Sequence, residues 1–271
     1  MRLLLLFAGL AACLSPTLSA QVTWMRTSAP FGARYDDVYF INDSTGWAVS
    51  ATGQIIHTKD AGTTWDIQLS TDEYFRSIEF LDDQVGISGT LNNVIYRTQD
   101  AGETWTDISS AFPPSVVGLC GLHAVDNHTI YGCGNVLEPA FILKSSDKGI
   151  TWEYQDLSKK AKYLIDIYFI NYDTGFCAGI SNEEAKGAVL LKTVNAGASW
   201  TEVLTTNTAS DTFWKIFQVN DNTLVMSIEN FGSANCRYAR SNDRGQTWSV
   251  EEAADEPLYT QMIGFFNDDL G

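Results

Sequence analysis

Short apolar runs alternate with turn-forming residues along most of the chain. Val38-Tyr39-Phe40, Ile78-Glu79-Phe80, Ile167-Tyr168-Phe169 and Ile263-Gly264-Phe265 each lead into an Asn/Asp-rich turn followed by Gly46, Gly86, Gly175 and Gly271. A second run follows the turn, as in Trp47-Ala48-Val49. A third comprises residues 54–57, 94–97, 141–144 or 189–192, and a fourth begins at a tryptophan. No segment of useful length carries a helical period. The pattern predicts four short strands per unit, repeated along an all-β chain.

The tryptophans set the period. Trp65, Trp105, Trp152, Trp200 and Trp248 are 40, 47, 48 and 48 residues apart, and each ends an octet of one design. The first reads Thr58-Lys59-Asp60-Ala61-Gly62-Thr63-Thr64-Trp65. Its third position is Asp60, Asp100, Asp147, Asn195 and Asp243 in the five copies, where a side-chain oxygen can accept amides two or three residues on and close an Asx-type turn. Two residues later stand Gly62, Gly102, Gly149, Gly197 and Gly245, free to take a positive φ. The tryptophan is expected to start the fourth strand as a large buried plate. A repeat of this length with four strands predicts the blade of a β-propeller.

The octets resemble the Asp-box, or BNR, repeat S/T-x-D-x-G-x-T/S-W. The whole unit is similar to the repeats of photosystem II assembly-factor-like propellers and related bacterial secreted proteins. Sortilin-type propellers, sialidases and xyloglucanases also carry such boxes. The resemblance covers residues 22–271 and implies that the boxes join third and fourth strands on the outer rim as structural elements. It implies six or seven blades when complete. Five full blades are expected here, ending near residues 70, 110, 157, 205 and 251, with a sixth begun near Tyr259. Trp24 resembles a fourth strand without a box and is expected to close the last blade.

Composition narrows the function. Lys+Arg 17 against Asp+Glu 33 gives a net charge of −16, which argues against nucleic acid and against an anionic membrane surface. It also departs from the basic patch that a photosystem assembly role would call for. Met1-Arg2, the apolar Leu3–Leu10 and the small residues Ser19-Ala20 predict a signal peptide over residues 1–20, cut after Ala20, and hence a secreted or cell-surface protein. Leu10-Ala11-Ala12-Cys13 also resembles a lipobox, with Cys13 then lipidated. Nothing later approaches the length of a membrane span. The remaining cysteines, Cys120, Cys133, Cys177 and Cys236, allow three pairings or buried thiols. A hairpin about Asp126-Asn127 places Cys120 opposite Cys133 and favours a disulfide between them.

The residues point to binding rather than catalysis. On the usual ligand face of a propeller lie the loops from second to third and from fourth to first strands. The longest here are residues 135–139, 181–187 and 229–235. Aromatics precede the first strands: Tyr35, Phe75, Phe112, Tyr163, Phe213 with Trp214, and Tyr259. With Arg76 they are candidates to grip a peptide or a sugar, although regularly repeated aromatics ordinarily pack between blades. A sialidase-like site would need an arginine cluster, for which only Arg76, Arg237 and Arg240 are near plausible blade tops. A glycoside hydrolase remains the alternative, its acids being Glu138, Glu183, Glu184 or Glu229. His57, His123 and His128 lack metal-ligand spacing, and no phosphate loop or nucleophile elbow is present. The expectation is an exported, non-enzymatic propeller that needs no cofactor or metal and binds a protein or glycan.

Overall fold

The structure, a computed structural model, describes residues 27–30, 34–134, 139–230 and 235–254. Five four-stranded antiparallel sheets follow one another, each a simple meander. The first comprises β1 (Tyr35–Phe40), β2 (Gly46–Ser50), β3 (Gln54–Thr58) and β4 (Asp66–Ser70); the second β5 (Phe75–Phe80), β6 (Gly86–Thr90), β7 (Ile95–Thr98) and β8 (Thr106–Asp107). The third comprises β9 (Leu119–Ala124), β10 (Ile130–Gly134), β11 (Phe141–Ser145) and β12 (Glu153–Asp156). The fourth holds β13 (Ala161–Phe169), β14 (Gly175–Ser181), β15 (Ala188–Thr193) and β16 (Thr201–Thr205), and the fifth β17 (Asp211–Gln218), β18 (Leu224–Asn230), β19 (Cys236–Ser241) and β20 (Ser249–Ala254). First strands of successive sheets contact one another (β1 with β5, β5 with β9, β9 with β13, β13 with β17), so they line a common axis, and fourth strands lie outermost. This is a β-propeller of five complete blades among the described residues. The expected closing strand at Trp24 and the sixth blade from Tyr259 lie outside the described residues.

Each first turn is held by one side chain. Asn42, Asp82, Asp126, Asn171 and Asn220 accept the amides two and three residues ahead, at 2.6–3.0 Å. The boxes use a longer reach than the sequence suggested. In the second blade Asp100 Oδ1 accepts the Thr104 amide at 2.9 Å and Oδ2 the Thr104 hydroxyl at 2.6 Å, four residues on. The Thr98 hydroxyl donates to Asp100 and accepts the Gly102 amide at 2.9 Å. The other boxes repeat this lattice, and Asn195 keeps it through its amide group. Two consecutive residues are left-handed in every box: Ala61, Ala101, Lys148, Ala196 and Arg244 as well as the glycines. The first of the pair donates its amide to the turn between first and second strands of its own blade, as in Ala101 N–H to Gln84 O at 3.0 Å. In the second to fifth boxes one carbonyl of this left-handed pair is turned to the preceding blade. Gln68 donates to Ala101 O, Arg97 to Lys148 O, Lys144 to Ala196 O and Lys192 to Gly245 O, at 2.9–3.1 Å.

Aromatic rings fill the same joints. Trp47 stacks on Phe80 of the next blade at 3.6 Å between centroids, and Phe80 meets Trp105 edge-on at 6.0 Å. Tyr131, Phe169 and Trp200 repeat the set two joints further round, at 4.1 and 6.0 Å. In the third blade Ala124 stands where the phenylalanine would be, and Phe112 enters from the preceding loop to meet Trp152 at 5.4 Å. The box tryptophans precede their strands by one residue rather than beginning them. Only Trp200 is fully buried; the other four are half-buried. Blade faces are otherwise closed, with Ile78, Phe80, Ile167 and Phe169 at most 5% exposed, whereas Val38 and Phe40 on β1 are 49% and 42% exposed.

No disulfide joins Cys120 to Cys133. Cys133 stands opposite Gly121, and a register shift between Cys133 and Gly134 makes Cys120 an extra residue whose side chain leaves on the other face. All four cysteines among the described residues are buried thiols.

The joint explains the box glycines. A Cβ on Gly245 (φ +72°) would lie 2.2 Å from the Phe176 ring of the preceding blade, while one on Gly62 (φ +82°) would meet nothing nearer than its own Trp65 at 3.4 Å. Both changes to alanine carry the positive-φ strain, about 1 kcal/mol or more, but only Gly245→Ala adds overpacking of about 1–3 kcal/mol. Thermal and urea denaturation should therefore rank Gly245→Ala well below Gly62→Ala.

Candidate functional site

One irregularity recurs in all five first strands. The register against the second strand slips by a residue at Asp36, Arg76, Cys120, Ile165 and Trp214-Lys215. A bulge bends the strand and re-aims side chains. Here it brings polar groups into the axis, within runs otherwise apolar. Just past the bulge stand Asp37, Ser77, Gly121 and Asp166, and in the fifth blade Lys215 is part of the bulge itself.

These groups bond from blade to blade. Asp37 accepts the Ile78 amide at 3.0 Å, Ser77 donates to the Leu119 carbonyl at 2.9 Å, and Asp166 accepts the Ile216 amide at 2.8 Å. Glu79 accepts the Ala124 amide at 3.0 Å. Lys215 Nζ lies 3.3 Å from Asp166 and 3.4 Å from Asp37, so the fifth blade is tied to both the fourth and the first. Burial works against the Lys215 charge, but the two carboxylates outweigh it and raise its pKa. Burial also raises Asp166, against the pull of Lys215 and the Ile216 amide. Glu79 keeps some solvent contact, yet its crowded surroundings push its carboxyl up to about 8, with Asp37 adding to the shift and the Ala124 amide opposing it.

Beside this set, Asp36 Oδ1 is shared by Arg76 at 2.9 Å and Arg34 at 2.8 Å. The Arg76 guanidinium lies 5.0 Å from the Trp214 ring centre. Arg76 and Trp214, both expected at a binding face, thus meet each other across the axis, and Arg76 is buried. Phe75 is not available to a ligand: it is wholly buried against Tyr96. The Tyr35 hydroxyl donates to the Pro30 carbonyl at 3.1 Å. Tyr259 lies outside the described residues. Sequence reasoning missed Asp36, Asp37, Glu79, Asp166 and Lys215. The signal was a charge at one fixed place in the first-strand run of several repeats.

Tyr163 belongs to a separate feature. A cleft of ≈ 450 Å³ lies at the ends of the fourth and fifth blades, between the loops before β13, between β14 and β15, and before β17. Lys162, Tyr163, Asn182, Glu184, Ser210 and Asp211 give it donors, acceptors and one aromatic edge. Asp211 is fixed by Arg237 and Asn230. Of the other acids, Glu183 pairs with Lys186 at 2.9 Å, Glu229 is buried, and Glu138 lies outside the described residues. Among the described residues no cluster of His, Cys, Asp or Glu has metal-binding geometry, and no helix is long and apolar enough to cross a membrane.

The family described as Photosynthesis system II assembly factor YCF48 matches residues 17–113, the stretch that holds the first two blades. The chain is a BNR-repeat β-propeller. No curated protein sequence matches it. Among solved structures the propeller is similar to YCF48 bound to D1 peptide, at 20% identity and a TM-score of 0.57, over 87% of this chain and 73% of that one. It is similar to YCF48 from Cyanidioschyzon merolae at 16% identity and a TM-score of 0.53, over 87% and 90% of the two chains. The GH74 xyloglucanase from Xanthomonas campestris gives 13% identity and a TM-score of 0.59, over 77% of this chain and 36% of that one. At these identities the likeness is one of fold.

The axial carboxyl has a pH signature. Glu79 has a native pKa of about 8, against about 4.3 for an unfolded glutamate. Between those values the native state holds a proton that the unfolded chain has lost, so stability falls as pH rises through the window. Glu79→Gln removes the proton exchange while keeping an acceptor for the Ala124 amide. Its melting temperature should fall less than that of the parent between pH 5 and pH 8.5, as measured by circular dichroism.

Proposed function

We propose that this propeller is an exported, non-enzymatic repeat protein that holds a segment of a partner protein at the cleft beside Tyr163. The cleft is the observation that carries the reading. It sits among second-to-third and fourth-to-first loops and offers closely spaced polar groups of both kinds around an aromatic edge. An extended peptide supplies the complementary main-chain donors and acceptors every residue. YCF48 holding D1 peptide supports the reading, as a propeller of like fold occupied by a peptide.

A hydrolytic reading draws little support from the axis. Asp37, Glu79 and Asp166 each accept an amide of the following blade, and Asp37 and Asp166 share Lys215. Carboxylates so engaged hold strands together. The xyloglucanase shares the fold with this chain, and fold alone does not carry an activity.

Two measurements test the proposal. Peptides selected from a displayed library on the purified protein should bind at least about tenfold more weakly to Tyr163→Ala and to Lys162→Glu, a loss of about 1.4 kcal/mol, with melting temperatures unchanged. Binding unaffected by either change, or release of reducing sugar from xyloglucan, would overturn the reading. For export, material recovered outside the cytoplasm should begin at Gln21; a lipid-linked Cys13 at its N-terminus would replace cleavage after Ala20 with membrane tethering.

A further inference from the structure

Strand alternation sets two of the cysteines face to face. Tyr131 on β10 points into the joint with the fourth blade, where it stacks on Phe169 and its hydroxyl donates to the Ala196 carbonyl at 2.8 Å. Cys133 is two residues further along β10 and points the same way. On β14, Phe176 and Ala178 point to the fifth blade and pack with Phe213 and Ile216. Cys177, between them, therefore points back toward the third. Both thiols are wholly buried and belong to one core cluster with Tyr131, Ile167 and Phe169. The Cys177 thiol is near enough to add to the rise that burial imposes on the Cys133 thiol. Opposite Cys133 is Gly121, where a Cβ would lie 3.1 Å from the Cys133 sulfur and 2.8 Å from the Cα of Asp166. The absence of a side chain there leaves room for the sulfur in the joint.

We propose that Cys133 and Cys177 are a modification site: an inter-blade disulfide pair that becomes oxidised while the chain folds in the presence of an external disulfide. In the first step the thiolate of one cysteine attacks the external disulfide, forms a mixed disulfide and releases one thiolate. The second cysteine, as thiolate, then attacks the protein sulfur of that mixed disulfide. The Cys133–Cys177 bond forms and a second thiolate leaves. The two cysteines lose two electrons and two protons; the external disulfide gains both and becomes two thiols. Burial raises the Cys133 thiol far above its ordinary pKa, so the closed joint opposes thiolate formation and reagent entry alike. The reaction therefore belongs to the open chain, before the third and fourth blades meet.

The test refolds the denatured, reduced full chain in a mixture of oxidised and reduced glutathione and maps peptides without reduction. A peptide pair linked through Cys133 and Cys177 is expected in the parent and in the Cys120→Ala/Cys236→Ala double variant, and is absent from Cys177→Ala. The oxidised double variant should melt several degrees above its reduced form. Native reduced protein, given the same glutathione without unfolding, should link at least tenfold more slowly. Recovery of both thiols unlinked from the refolded double variant, or a predominant Cys120–Cys133 linkage in the parent, would overturn the proposal.

Discussion

The structure depends on a pair of left-handed residues held by a hydroxyl and a carboxylate. Two consecutive positive-φ residues are costly outside glycine, and each box offsets that cost locally. Thr98 and Asp100 between them bond the amides of Gly102 and Thr104 and the Thr104 hydroxyl. What the strained pair provides is not local. Its first amide ties the box to the other hairpin of its blade, and in four of the five boxes one of its carbonyls receives a donor from the blade before. The same groups thus fix the outer end of a blade and the distance to its neighbour. Partly buried hydrogen bonds of this kind contribute about 1 kcal/mol each, so their repetition matters more than any one of them.

Apolar packing supplies most of the remaining cohesion at each joint, and its parts are exchangeable. Trp47, Ile87, Tyr131 and Phe176 occupy one repeat position in the first four blades. Where Ala124 removes a ring, Phe112 arrives from another element to meet Trp152. Volume is kept although identity is not, as core packing requires. The invariant element is glycine, whose missing Cβ makes room in the last four boxes for Gln68, Ile87, Tyr131 or Phe176 of the preceding blade. The axial ends of the first, second and fourth blades follow another rule, with side chains on bulged strands caught by the next first strand's backbone.

Much of the outer blade was legible in the sequence because its determinants are periodic. The Asp, Gly and Trp of the octets recur at fixed offsets, and the apolar runs between them alternate as strands do. The inner edge was harder to read. A bulge adds one residue to a strand without altering its apolar character, so counting outward from Asp126-Asn127 set Cys120 against Cys133 when the partner is Gly121. The same slip hides why Asp37, Asp166 and Lys215 can converge. Phe75 and Tyr163 lie on equivalent strands, but Phe75 is five residues before Phe80 and Tyr163 six before Phe169, so strand alternation buries the first and leaves the second at the edge of a cleft walled by the β14–β15 loop. The early left-handed residue of each box went unread because alanine, lysine and arginine carry no mark of it.

The clasp of Lys215 on Asp37 ties the first and fifth blades in a way unlike the joints between successive blades. Four joints close chiefly by burying rings and aliphatic side chains, a force that ions in solution scarcely weaken and that fades on cooling. Among the described residues, the first and fifth blades meet through an ion pair whose carboxylate and ammonium keep 16% and 20% of their exposure. Salt screens such a pair far more than it touches the apolar joints. Ionic strength therefore acts on this cross-axis tie, and temperature on the apolar joints between successive blades.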